Sequence, residues 1–300
     1  MHMFSNGPEL DLSLAGVLPR NTSTHRARPR CGALLLIVSL ALSPQLPGQP
    51  EDVTDQTTPA EHQPDNSGSK RDRIVFGEVA KLPLGRIVSW ALLTPSGKIE
   101  EVGVTVPFKI ITEQSETGEG PLGAIASLEF PRVVREATYL NHVEIHWNPH
   151  GHASPPTDPD RYDAPHFDLH YFAVPEAVVW AIPAVAEPGP DVPPERLPTG
   201  WLQPGPSEPE MGRHALPTSI ADGPFIAEML AGFLPSGSTM HFIEPMITRE
   251  FLAQAQNFDL PVPRPEKFGR TTLYPETFAA EYDEKLKAYH FIFRQFVIVE

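Results

Sequence analysis

The stretch Y-D-A-P-H-F-D-L-H-Y-F, which runs from Tyr162 to Phe172, alternates between two kinds of side chain. His166, Asp168 and His170 occupy every second position, and the residues between them are aromatic or aliphatic. Successive side chains of a β-strand point to opposite faces, so this pattern predicts a strand with one polar and one apolar face. The stretch H-V-E-I-H-W, residues 142–147, repeats the pattern. We predict that these strands are antiparallel neighbours whose histidine faces come together.

Other segments also favour β-structure. Two hairpins are predicted, at residues 86–107 and 225–245, each with a Pro-Ser-Gly turn. Two short helices are predicted at residues 248–256, with a threonine N-cap, and 275–282, and a final strand at 289–299. The 36 prolines disfavour long helices and long central strands. We expect a mainly β fold with short helices, a single antiparallel β-sandwich or small barrel, with a cupin-like barrel as one form.

The N-terminal region predicts export. Arginines at positions 26, 28 and 30 precede the apolar segment Cys31–Leu42, which has signal-peptide length and is short for a membrane span of about 20 residues. We assign residues 1–48 to a signal-peptide region, 49–73 to a disordered polar linker and 74–300 to a β-rich metal-binding domain. The mature protein is expected in the periplasm or outside the cell, with no stable membrane span.

Charge and cysteine content limit the choice of function. The formal net charge of −15 disfavours a nucleic-acid partner. The single cysteine, Cys31, lies in the signal-peptide region, so a metal site in the mature chain must use His, Asp or Glu. Imidazole is the commonest protein ligand for Zn²⁺ and similar ions. The repeated choice of histidine therefore favours a metal site over an ordinary solvent-exposed strand face.

Strand geometry limits how His166 and His170 bind a metal. The Cα atoms of residues four apart on a flat strand are about 13 Å apart, whereas a Zn–N bond is only about 2.0–2.1 Å. Either a bend after Pro165 or a bulge brings both imidazoles to one ion, or only one of them binds there, with Asp168 facing the same site. The sequence leaves these alternatives open.

Several separated motifs resemble those of an uncharacterised bacterial family, a domain of unknown function named after a Thermus protein. The motifs are W-N-P-H-G-H, Y-D-A-P-H-F-D-L-H-Y-F, M-G-R-H and F-I-E-P-M-I-T-R-E-F-L, in this order. The similarity covers residues 74–300 and implies an exported domain without a settled activity. The shared histidines fall at His152, His166, His170 and His214, with Asp168 and Glu244 in accompanying motifs.

The candidate metal ligands are therefore His152, His166, His170, His214 and Asp168. His152 belongs to the loop before the opening stretch, and His214 follows a proline-rich loop. We expect zinc, although sets of imidazole and carboxylate also accept other divalent transition metals such as Fe, Mn, Cu or Ni.

Three functions are compatible with such a site. We favour an exported protein that sequesters, buffers or structurally uses a metal, which predicts a saturated set of four ligands. The alternative is a metal-dependent enzyme, a hydrolase or cupin-like oxidoreductase, with an open coordination position and Glu244 or Asp168 as general base. A metal-free adhesion or assembly module would instead place its histidines on exposed faces. The sequence leaves open whether the protein is an enzyme, and whether it binds a small-molecule ligand or forms a homo-oligomer.

Overall fold

The computed structural model describes residues 72–115, 124–152, 158, 160–218, 224–237 and 239–300. The predicted signal-peptide region, and the predicted linker except for its last two residues, lie outside these ranges. No helix within the described ranges is long and apolar enough to span a membrane.

Strands dominate the described residues, and the helices between them have six residues or fewer. The strands are β1 (Arg73–Leu82), β2 (Gly85–Leu93), β3 (Ile99–Pro107), β4 (Ala124–Glu129), β5 (His142–Asn148), β6 (His166–Phe172), β7 (Ser207–Glu208), β8 (Gly212–Ala215), β9 (Ala227–Phe233), β10 (Met240–Thr248), β11 (Phe258–Pro261), β12 (Thr272–Tyr274), β13 (Thr277–Asp283), β14 (Ala288–Arg294) and β15 (Val297–Val299). The helices are α1 (Phe108–Glu113), α2 (Arg132–Ala137), α3 (Glu176–Val179) and α4 (Arg249–Leu252), with a 3-10 turn at Pro194–Arg196.

Two antiparallel sheets form the body of the fold. The six-stranded sheet has the order β1-β2-β3-β14-β13-β11, and the seven-stranded sheet has the order β4-β5-β6-β10-β9-β8-β7. Strands β12 and β15 form a separate pair. One of the two sheets curls into a half-barrel. The prediction of a mainly β, sandwich-like or barrel-like fold with short helices is confirmed.

The apolar faces of the two sheets pack together in the main core. Leu169 and Tyr171 of β6 point into this core, and the ring of Tyr171 meets the ring of Phe293 on β14 edge-on at 4.6 Å between centroids. Burying one such side chain stabilises the fold by about 1.5–3 kcal/mol. Because side chains alternate along a strand, fixing these residues in the core turns the histidines of β6 to the other face.

The predicted helix at residues 275–282 is wrong. This segment forms β13, which pairs with β11 on one side and with β14 on the other. Phe278 and Ala280 face the main core, while Ala279 packs with Trp90 on the opposite face, which is the two-residue period of a strand. Pairing on both edges and burial on both faces outweigh the weak helix preference of the local sequence.

The remaining element predictions hold with altered ends. Both hairpins form, as β2–β3 and β9–β10. The hydroxyl of Thr248 accepts a hydrogen bond from the backbone N–H of Phe251 at 3.4 Å, as expected of an N-cap, but α4 ends at Leu252. The predicted final strand is interrupted at Gln295, whose φ of +59° separates β14 from β15.

Candidate metal centre

The two strands with alternating histidines lie side by side in the seven-stranded sheet. β5 and β6 are antiparallel neighbours, as predicted. Their register pairs Glu144 with His170, His146 with Asp168 and Asn148 with His166. β10 lies on the other side of β6 and brings Glu244 to the same face.

This polar face is buried. All residues of β5 and β6 are buried, on both faces of the sheet. Tyr162 and Phe225 cover the face at one end, and Val179 of α3 packs against Phe172 at the other. We call the enclosed polar side chains the polar interior: His142, Glu144, His146, Asn148, His152, Arg161, His166, Asp168, His170, His214, Glu228 and Glu244.

The first triad consists of His152, His166 and Asp168. His166 Nε2 lies 3.2 Å from Asp168 Oδ1, and His152 Nε2 lies 3.4 Å from Asp168 Oδ2. A tetrahedral ion with bonds of about 2.0–2.1 Å has ligand atoms about 3.3–3.4 Å apart. The two nitrogen–oxygen separations in the first triad are close to the edge length of such a coordination shell.

Neighbouring groups orient the ligand atoms of the first triad. His166 Nδ1 donates a hydrogen bond to the carbonyl oxygen of Ala164 at 2.6 Å, which turns its Nε2 toward Asp168. Asn148 Nδ2 donates to Asp168 Oδ2 at 2.6 Å. Hydrogen bonds of this kind fix the rings and carboxylates that bind metals.

His152 reaches the first triad from the loop after β5. Its backbone N–H donates to the carbonyl oxygen of Tyr162 at 3.2 Å. Gly151 has a φ of +67°, and a Cβ there would lie 2.0 Å from the same carbonyl oxygen. Glycine at this position therefore allows the close approach that places the His152 ring beside Asp168.

The second triad consists of His170, His214 and Glu244. His170 Nε2 lies 3.3 Å from Glu244 Oε1, and His214 Nε2 lies 3.4 Å from Glu244 Oε2. The distances and the ligand types repeat those of the first triad. His170 and Glu244 are almost fully buried, whereas the His214 side chain on β8 is 16% exposed.

Gly232 of β9 makes room beneath His214. It is paired with His214 on one side and with Phe242 of β10 on the other. The Phe242 ring fills the space that a Cβ at Gly232 would take, at 1.8 Å from the nearest ring carbon. The ring of Phe242 then supports the His214 ring at 5.0 Å between centroids. A side chain at Gly232 would disturb this packing.

Several of the buried ligand atoms have no hydrogen-bond partner among the described residues. In the first triad these are His166 Nε2 and Asp168 Oδ1, which face each other. In the second triad they are both ring nitrogens of His170 and Glu244 Oε2. Leaving a buried polar atom unpaired costs about 1–3 kcal/mol. Opposed, unpaired nitrogen and oxygen atoms fit a position for a cation between them.

The carboxylates of the two triads differ in their electrostatics. Burial raises the pKa of Asp168, but the flanking imidazoles of His152 and His166 outweigh burial and hold that pKa well below its usual range. Burial, together with the negative charge of Asp168, raises the pKa of Glu244 well above its usual range. Glu244 therefore lacks the compensating positive charge that its ionised form needs.

The histidines of the second triad are held neutral. Burial lowers the pKa of His170 well below its usual value, and the neighbouring His146 adds to this effect. Burial also lowers the pKa of His214. Neutral imidazole is the form that binds a metal, so both side chains are prepared for this role.

A third carboxylate, Glu144, lies between the two histidines of β5. His146 Nε2 and His142 Nε2 lie 3.3 Å and 3.8 Å from its two oxygens. Burial raises the pKa of Glu144, but these imidazoles outweigh it and lower the pKa to about 2. The ring of His146 meets that of His170 edge-on at 4.8 Å, so this group adjoins the second triad.

The sequence analysis missed a buried ion pair beside the triads. Arg161 Nε donates to Glu228 Oε1 at 2.6 Å, and the hydroxyl of Tyr162 donates to Glu228 Oε2 at 2.7 Å. Arg161 directly precedes the opening stretch, but Glu228 is on β9, 67 residues away. The sequence contains no local signal for this pairing.

The predicted ligands are divided between two groups rather than gathered in one. His166 and His170 lie in different triads, and only His166 is grouped with Asp168. Glu244, predicted as a general base, lies between two imidazoles within its triad. The burial of these side chains is the opposite of what the adhesion-module hypothesis predicts.

Comparisons with protein-family models, with curated proteins and with solved structures found no match. The family resemblance inferred from the motifs stays a prediction.

Proposed function

We propose that the protein is an exported metal-binding protein that holds a divalent transition metal, most favourably zinc, in each of the two triads. The observation that carries this proposal is the paired geometry: in both triads two imidazole Nε2 atoms lie 3.2–3.4 Å from the oxygens of one buried carboxylate. Export rests on the predicted signal-peptide region.

The charge of the polar interior supports the same proposal. Its four carboxylates belong to Glu144, Asp168, Glu228 and Glu244, all buried, and Arg161 is its arginine. Buried carboxylates that outnumber their cationic partners are strongly disfavoured unless they take up protons or bind cations. Divalent ions at the triads compensate the negative charge of these carboxylates close to where it lies.

The ligand types favour zinc over calcium or magnesium. Zinc takes four ligands from histidine nitrogen and carboxylate oxygen, whereas the hard cations prefer sets made of oxygen alone. Iron also uses a set of two histidines and one carboxylate. The choice of zinc is therefore itself part of the proposal.

A metal-dependent enzyme is the second candidate, and the number of ligands favours it. Each triad supplies three protein ligands, the number typical of catalytic rather than structural zinc sites. One histidine in each triad is also partly open to solvent, with 29% of the His152 side chain and 16% of the His214 side chain exposed. A bound divalent ion would supply Lewis-acid activation of water or of a carbonyl group.

Metal stoichiometry tests the proposal. The purified protein, its His166→Ala variant and its His170→Ala variant are loaded with zinc, desalted and measured by elemental analysis. We expect two equivalents in the wild type and one in each variant, because each substitution removes a ligand from a different triad. His290→Ala is the matched control, since His290 on β14 hydrogen-bonds Thr105 outside the polar interior. Two equivalents in both triad variants would refute the assignment.

A further inference from the structure

The two triads lie side by side on one buried face of the seven-stranded sheet. Asp168 of the first triad and His170 of the second are two residues apart on β6, so their Cα atoms are about 6.6 Å apart. Their side chains point to the same face, and the negative charge of Asp168 contributes to the raised pKa of Glu244. Two bound ions would therefore act on the same small volume.

With both triads loaded, the polar interior has an excess of positive charge. Two divalent ions bring four positive charges, and Arg161 brings a fifth. The carboxylates of Glu144, Asp168, Glu228 and Glu244 cancel four of these five. The count takes all imidazoles as neutral, and any protonated imidazole would increase the excess.

The charged groups around this space do not cancel the excess. Glu208, near His214, has 51% of its side chain exposed, and Asp158, near Arg161, has 47% exposed, so water screens both. Arg213, the neighbour of His214 on β8, donates instead to carbonyl oxygens of the proline-rich loop, such as Pro190 at 2.7 Å. An uncompensated charge in a buried site is costly, so the loaded site favours a small counter-ion.

We propose that the polar interior, once both triads hold a divalent cation, binds one small monoanion, such as a carboxylate, at the coordination positions that the three-ligand triads leave open. This inference rests on the proposed function and adds a ligand class to it. The side chains that bound the space, among them Phe172, Phe225 and Met246, are apolar. They favour an anion with a small apolar part over a strongly hydrated or multiply charged one.

Glu144 sets the affinity for the anion without binding a metal. It belongs to neither triad, yet it faces the same interior from β5. Replacing Glu144 with glutamine keeps the shape of the side chain and removes one negative charge, so the excess positive charge doubles. In a partly buried site, a unit charge a few ångströms away changes the affinity for an anion by about tenfold or more.

Calorimetry with acetate tests this inference, with acetamide as the neutral probe of nearly the same shape. Zinc-loaded wild type with two equivalents should bind acetate and not acetamide. Glu144→Gln should bind acetate at least about tenfold more tightly, while the control Glu281→Gln, whose partner Arg294 lies in the other sheet, should match the wild type. His170→Ala with one ion should lose acetate binding, because the interior then has no positive excess, although the first triad is intact.

The outcomes separate this inference from the proposed function. A wild type that takes up no zinc at the triads overturns both. A wild type that holds two equivalents but binds no acetate, or binds acetamide as well, overturns the anion site alone. Acetate binding that is unchanged in Glu144→Gln, or kept in His170→Ala, overturns the charge argument. If Glu144→Gln fails to fold, the comparison of acetate with acetamide on the wild type still decides whether the zinc-loaded interior binds an anion.

Discussion

Replacing Glu244 with glutamine should stabilise the metal-free protein at alkaline pH and weaken the metal-loaded protein. The structure raises the pKa of the buried Glu244 carboxyl well above its usual value. The folded protein therefore keeps a proton that the unfolded chain releases above pH of about 4.5, and stability falls as pH rises from there to the folded-state pKa. Glutamine cannot ionise, so Glu244→Gln removes this loss.

The size of the effect follows from linkage. In the metal-free wild type, Glu244 lowers the free energy of unfolding by about 1.4 kcal/mol per pH unit between the unfolded and folded pKa values. Burial lowers the pKa of His170 and His214. Their contribution to the free energy of unfolding therefore has the opposite slope and rises with pH below a pH of about 6.5. That slope is present in both proteins, so the difference between wild type and variant reports Glu244.

Zinc should reverse the order of stability. A ligand at a thousand times its Kd stabilises the folded state by about 4.1 kcal/mol per site. The wild type should gain this at both triads, and Glu244→Gln only at the first. The assay is urea denaturation from pH 5 to 8, with chelator and with zinc. A metal-free variant that is no more stable than the wild type at pH 8, or equal stabilisation of both proteins by zinc, would contradict this expectation.

Three further predictions concern the first triad and the compartment. Asn148→Ala should lower the zinc affinity of the first triad by about 10- to 100-fold and leave that of the second unchanged, because the variant loses the hydrogen bond that orients the Asp168 carboxylate. Competition with a chromophoric chelator measures both affinities. Gly151→Ala should destabilise the protein by about 1–3 kcal/mol in thermal unfolding, since the new Cβ meets the carbonyl of Tyr162. It should also lower the zinc affinity of the first triad, and an unchanged affinity would contradict the role given to this glycine. Mass spectrometry of the exported protein should show a chain that has lost approximately residues 1–48, and a full-length chain in the cytoplasm would contradict export.

The parts of the fold that follow from local pattern could be predicted from the sequence. The alternation along residues 142–147 and 166–172 identifies β5 and β6, and strands that are consecutive in the chain are commonly neighbours in a sheet. The rise per residue of a strand also indicates that His166 and His170 do not easily share an ion. The structure places them in different triads, as that geometry requires.

The rest depends on pairings between distant segments. The second triad forms because β10 pairs with β6 and β8 lies two strands further along the sheet, an order that no local pattern specifies. The same is true of the contact between Arg161 and Glu228. The helix predicted at residues 275–282 failed for a related reason, since two neighbouring strands decide the conformation of that segment.

Anomalous X-ray diffraction at the zinc edge, from crystals of the zinc-loaded protein, tests the central claim most directly. Two peaks are predicted. One should lie about 2.0–2.1 Å from the Nε2 atoms of His152 and His166, and the other at the same distances from those of His170 and His214, each with a carboxylate oxygen within about 2.2 Å. Two peaks at these positions would establish both triads as metal sites. A protein with bound zinc but no anomalous peak at either triad would contradict the account.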